Sequence, residues 1–244
     1  MGNRQTYLIN QIVEYAHRLD QKGFVANHDG NISARFDDIL LATPTAASKI
    51  TITPEMILTL DQTGKKLEGL GKPFSEIQLH LAAYQARDTV KAVVHAHPPF
   101  ATAHGLVNLP LKPLLPEAII SIGAEIPVVP FTMPGENPAL ISTALSQADV
   151  FMLAGNGVLA VGENVEQAYL RLELLEHVAK IQFYAKQMGV PMELSEEEIN
   201  TLLQKRASIG LGQAPQKSAT RPVLLDDIKA LIRAEIENSL DVET

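Results

Sequence analysis

Cysteine is absent from this sequence. A disulfide framework, a thiolate metal site and a thiol nucleophile are therefore all excluded. Tryptophan is also absent, and aromatic residues make up only 5% of the chain. Positive charge is in short supply: 20 Lys and Arg face 28 Asp and Glu, a formal net charge of −8. A general nucleic-acid binder needs clustered Lys and Arg, so no nucleic-acid partner is expected. No stretch reaches the roughly 18 uncharged apolar residues of a membrane span, so no membrane partner is expected either. The N-terminal segment carries charges throughout, and the expected location is the cytoplasm. What the chain does have is apolar material, 46% of 244 residues, enough for a sizeable core.

Ile9, Ile12, Val13, Ala16 and Leu19 recur at helical spacing, and Gly23 is a good stop. The stretch "FVANHDGNISARFDDILLATP" predicts a turn at Gly30 and two short strands. Pro54 starts a short helical turn, and "KLEGLGKP" reads as a loop. Ser75 with Gln78 has the spacing of a capping box opening the helix "SEIQLHLAAYQARD". "VKAVVHAHPP" is a strand stopped by proline, and "DVFMLAGNGVLAVG" is two strands around Gly155-Asn156-Gly157. Asn137-Pro138 begins a helix, a long one runs from about Glu163 to Met188, and another is capped by Ser195. Short turns between strands imply a largely antiparallel or mixed sheet covered by helices. "SIGLGQAPQKSATRPV" reads as a linker, followed by an amphipathic helix with Ile228, Leu231, Ile232 and Ile236 on one stripe. The expected organisation is a domain over 1–206, a linker over 207–222 and a C-terminal helix over 223–244.

The chemistry sits in "VVHAHPPF". On a strand, residues two apart share a face, which places His95 and His97 side by side, roughly 6–7 Å apart at the backbone. A packed histidine needs a partner for each ring nitrogen, which is hard to arrange twice on one apolar strand. Two adjacent imidazoles are better suited to a divalent cation. His80 shares an apolar face with Ile77, Leu81 and Tyr84 and is expected in the core.

The block "KPFSEIQLHLAAYQARDTVKAVVHAHPPFATAHG" resembles the core signature of the class II aldolase/adducin family. "GFVANHDGNISAR", "LATPTAASKITITPEMILTLD", "PVVPFTMPGENPAL" and "FMLAGNGVLAVGENVEQAYLRLELLEHVAKI" fit the same family in order. The resemblance implies an α/β fold, three-layer α/β/α with a central, mostly antiparallel sheet. It also implies a homotetramer with active sites between subunits and a carbohydrate-like small-molecule substrate. Family enzymes hold zinc or a similar ion with three histidines and move a proton with a glutamate. Carried over, His95 and His97 are the first two ligands and Glu76 is the catalytic acid/base. Gly30, Asn31, Thr45 and Ser75 fall in the segments that hold the substrate. Retro-aldol cleavage leaves negative charge on the substrate, which a divalent Lewis acid stabilises. Read without the resemblance, Glu76 is an acid in a first helical turn and Asn31 a turn residue.

Two departures matter. Asn156 stands where the third histidine belongs, leaving Asn156, Glu76 or Glu117 as the further ligand. Two histidines plus oxygen suit zinc, manganese, cobalt or nickel. Ala46 and Phe74 replace a glycine and a small hydroxyl residue of the phosphate segments. The substrate is then unphosphorylated, or phosphorylated and held differently. The expected activity is a metal-dependent aldehyde-lyase acting on a sugar, sugar phosphate or related hydroxy-keto compound. An epimerase, a decarboxylase and a non-catalytic adducin-like interaction module are the alternatives. The C-terminal helix would dock on its own oligomer or on a shell or partner protein.

Overall fold

The structure, a computed structural model, describes residues 3–131 and 136–211. Most of the predicted linker and all of the predicted C-terminal helix lie outside the described residues.

Helix α1 (Asn3–Gln21) buries Ile12, Tyr15, Ala16 and Leu19, the face its periodicity predicts. A hairpin follows, β1 (Asn31–Phe36) and β2 (Ile39–Ala42), then β3 (Leu58–Leu60) and β4 (Lys66–Glu68). Strand β4 lies inside the segment expected to be a loop. Its three residues are all exposed, so it has no buried face to leave an alternating pattern. Next come α2 (Ile77–Ala86), β5 (Ala92–Ala96), α3 (Pro99–Leu106) and α4 (Pro116–Ile122). The chain continues through β6 (Val128–Val129), α5 (Pro138–Gln147), β7 (Val150–Leu153), β8 (Val158–Gly162), α6 (Val165–Met188) and α7 (Glu196–Ser208).

The strands form one sheet in the order β4-β3-β2-β1-β5-β8-β7-β6, antiparallel throughout except for the β6–β7 pair. Every residue of β5, β7 and β8 is buried, because helices cover both faces. This is why these strands read as continuous apolar runs. One core joins α1 and α6 to Ile32, Val94, Met152 and Ala160. The other joins α2 and α5 to Leu40, Val93, Phe151 and Leu159. The architecture is therefore the expected three-layer α/β/α.

Helix ends follow local chemistry. Ser195 and Glu198 close a reciprocal capping box on α7, and Asn164 accepts from the Gln167 N–H on α6. The box expected at Ser75 does not form. Glu76 is the cap of α2 and makes no side-chain cap bond, while the Ser75 hydroxyl donates to Glu76 Oε2 at 2.8 Å. Phe74 turns into the core and stacks on His80, with ring centroids 4.9 Å apart. That burial accounts for an aromatic residue in place of a small hydroxyl one.

Candidate functional site

Strand β5 ends at Ala96, so only His95 lies within it, but the two imidazoles remain neighbours with centroids 5.1 Å apart. His97 follows directly, and its N–H is held by the Phe24 carbonyl. Asn31 pairs in register with His95, which places the first residue of β1 beside the site.

Each imidazole turns Nδ1 toward a protein oxygen. His95 Nδ1 is 3.0 Å from the carbonyl oxygen of Val158, which can only accept, so Nδ1 carries the proton and Nε2 the lone pair. His97 Nδ1 faces the Asp29 carboxylate at 3.1 Å. His97 Nε2 is buried and has no hydrogen-bond partner among the described residues. Burial, reinforced by the His97 ring, pushes His95 down to about 4 and keeps it neutral at ordinary pH. Two neighbouring imidazoles, one anchored at Nδ1 by a carbonyl and the other facing a carboxylate through Nδ1 with its Nε2 unpartnered, are a donor set suited to a divalent cation. The residues therefore fit the implied metal. Among the described residues no group of three or more His, Asp or Glu is gathered closely enough to hold an ion, so the pair is the preformed part.

Glu76, half-buried at the start of α2, is one of the charges that act on His95. Thr45 is exposed, and its N–H donates to the Lys72 carbonyl, drawing its loop against the chain that leads into Ser75 and Glu76. Asn31 is buried, and its Oδ1 has no partner among the described residues. Gly30 contributes backbone: its φ is +72°, and a Cβ there would overlap Val25 and press on the His95 carbonyl oxygen. Gly157 does the same on the other side, where a Cβ would overlap both the Ala96 carbonyl and the His97 ring. The 155–157 turn, with Asn156, is thereby seated against His97. Glu117 lies exposed in the first turn of α4. Ala46 keeps φ at +55°, the left-handed conformation that the family's glycine would adopt freely.

Sequence reasoning missed Asp29 and the Val158 carbonyl, whose contacts with the rings are made only by folding. It also missed Lys49, a buried lysine whose ammonium donates to the carbonyls of His28 (3.2 Å) and Ala47 (2.8 Å). Burial pushes its pKa down. His80 is a core residue, as expected, bonded through Nδ1 to Ser33 Oγ at 2.7 Å. His104 lies on α3 and bonds the Leu109 carbonyl at 3.3 Å.

Comparison with known proteins places these features in context. The L-fuculose phosphate aldolase of Escherichia coli O6:H1 is 31% identical over 207 residues, covering 84% of this chain and 96% of that one. The 3-oxo-tetronate 4-phosphate decarboxylase of Escherichia coli O6:H1 is 32% identical over 184 residues, covering 72% of this chain and 86% of that one. A solved L-fuculose 1-phosphate aldolase superposes with a TM-score of 0.74 at 27% identity, covering 81% of this chain and 95% of that one. The family described as Class II Aldolase and Adducin N-terminal domain matches residues 10–183, so the chain belongs to that family.

Proposed function

We propose that the chain is a divalent-metal-dependent lyase that breaks a carbon–carbon bond of a sugar, sugar phosphate or related hydroxy-keto compound by retro-aldol chemistry. The observation that carries this is the pair of neighbouring imidazoles, His95 anchored at Nδ1 by the Val158 carbonyl and His97 unpartnered at Nε2, with Glu76 close enough to act on His95. His95 and His97 hold the ion, zinc in the first instance, with manganese, cobalt or nickel as substitutes. Asn156, Glu76 or Glu117 completes its shell. When bound, the ion supplies a Lewis acid for the charge that develops on substrate oxygens.

Glu76 takes the hydroxyl proton as the bond breaks and returns a proton to the carbon that keeps the electron pair. The Ser75 hydroxyl holds Oε2 of that carboxylate, fixing its orientation. Asn31 Oδ1, an acceptor without a partner, suits a substrate hydroxyl. Thr45, Ser75 and the glycine-like loop at Ala46 suit the oxygens of a phosphate, and Gly30 gives the backbone room. The relatives' names, with a phosphate in each substrate, support the phosphorylated form of the substrate. A decarboxylase passing through the same charge-stabilised carbanion is the second reading, favoured by the 32% identity to a decarboxylase.

We place the enzyme in the cytoplasm as a homotetramer. An apolar hollow of about 370 Å³ lined by Phe100, Ala103, Val107, Leu109 and Phe183 supports a covered face. The residues from 223 onward would form a helix that docks on the oligomer or on a shell or partner protein. The test is cleavage of ketose 1-phosphates, the free ketoses and hydroxy-keto acids, before and after chelation and metal return. Release of an aldehyde that stops with chelator and resumes with zinc or cobalt is expected. No product from any substrate, with under a tenth of an equivalent of bound metal, would leave the adducin-like interaction module instead.

A further inference from the structure

We infer that Asp29 is a positioning residue that sets the affinity of the His95–His97 pair for its ion; this rests on reading those histidines as metal ligands. The two oxygens of Asp29 do different work. Oδ1 accepts from the Ala26 N–H and shapes the turn before β1. Oδ2 lies 3.1 Å from His97 Nδ1. The turn alone would need only the first contact.

The two rings are held by unequal groups. His95 leans on a neutral carbonyl, Val158, inside the sheet. His97 lies past the end of β5, where no ladder fixes it, and leans on a charged carboxylate. A carboxylate accepting Nδ1–H fixes the tautomer and makes Nε2 more electron-rich. It also places one negative charge close to the cation. Both effects weigh more here, because Asn156 stands at the place of a third imidazole and an amide oxygen is the weaker donor.

The rest of the fold fixes Asp29 in place. Lys49 is buried and donates to the carbonyl of His28, the residue before Asp29, and to that of Ala47, two residues after Thr45. Its charge is supported by Asp29. One ammonium thus ties the turn that orients His97 to the loop that faces the substrate. Gly30, which follows Asp29, packs under the His95 carbonyl, so the turn cannot slide along the strand.

The experiment titrates Co²⁺ into chelator-stripped protein and reads its visible absorption, with wild type, Asp29→Asn and Asp29→Ala in parallel. Asp29→Asn keeps one carbonyl oxygen for the Ala26 N–H and presents an amide N–H₂ to His97, so it removes the charge and the acceptor at the ring while the turn contact can persist. We expect the dissociation constant to rise by about tenfold in Asp29→Asn and by up to about a hundredfold in Asp29→Ala, with a changed absorption envelope. Thermal midpoints of the stripped proteins check that both variants fold. If both variants bind Co²⁺ within twofold of wild type with superimposable spectra, Asp29 is a turn residue and the inference falls alone. If wild type itself fails to bind Co²⁺, the metal reading of the histidine pair falls with it.

Discussion

Two polar clusters lie at opposite ends of the same central strands, and they are finished differently. At one end Asp149, just before β7, receives Arg87, Arg171 at 2.9 Å and Arg206 at 2.6 Å. The carbonyls of Leu145, Val161 and Ile120 take further guanidinium N–H groups. At the other end, where β5 runs out, His95 Nδ1 meets the Val158 carbonyl, His97 Nδ1 faces Asp29 at 3.1 Å, and His97 Nε2 has no partner among the described residues. The enclosed Asp149 carboxylate at the first end is met by guanidiniums that also bond carbonyls, which is what burial demands of a buried charge. At the second end the His97 Nε2 is left without a partner among the described residues, which a ligand would satisfy.

The largest expected effect breaks the closed end. Asp149→Ala strands three guanidiniums and should cost about 3–5 kcal/mol. Calorimetry should show the midpoint falling by roughly 10 °C or more, with Co²⁺ affinity of the folded fraction unchanged. Glu76→Gln should do the reverse. Turnover should drop by about 10²–10⁴-fold, while the thermal midpoint stays put, as steady-state kinetics and a melt of the same sample would show.

Gly157→Ala sits between the two cases. Its Cβ would overlap the His97 ring and a carbonyl at a φ of +71°, so we expect a loss of about 1–3 kcal/mol together with weaker Co²⁺ binding. Gly189→Ala is the control, since a Cβ there meets nothing within 4 Å.

The last expected effect is a pH slope. Burial pushes His80 far down, and His95 to about 4, so both are neutral in the folded protein. The unfolded chain protonates them near the ordinary value of about 6.5. Their contribution is therefore complete above about pH 6.5 and is lost as pH falls from there toward 4. Thermal midpoints of the metal-free protein between pH 8 and 4.5 should fall with acid, and His80→Asn should flatten that slope.

How far the sequence reveals this comparison differs between its two ends. Asp149 and its three arginines come from four separate segments, and no spacing rule links them. The histidine pair was legible because strand periodicity alone makes residues 95 and 97 neighbours. Glu76, Asn31 and Thr45 were singled out only through resemblance, because each taken alone has an ordinary reading as a helix-start or loop residue. The capping box at Ser75 was misread. The pattern is local, but the competing bond from Ser75 to Glu76 and the burial of Phe74 move the helix start to Ile77. Strand β4 was missed because three exposed residues carry no hydrophobic signature.

The amino-acid order by itself determined most of the elements, a largely antiparallel sheet covered by helices, and the place of the imidazoles, since these follow from apolar period, turn residues and chain direction; the three layers were expected through resemblance. Tertiary structure alone decided which ring nitrogen stays open. Val158 reaches His95 across a strand pair, Asp29 reaches His97 from a turn 68 positions away, and Lys49 fastens that turn from yet another segment. Hydrogen bonds of that kind depend on distances in space, and no local pattern encodes them.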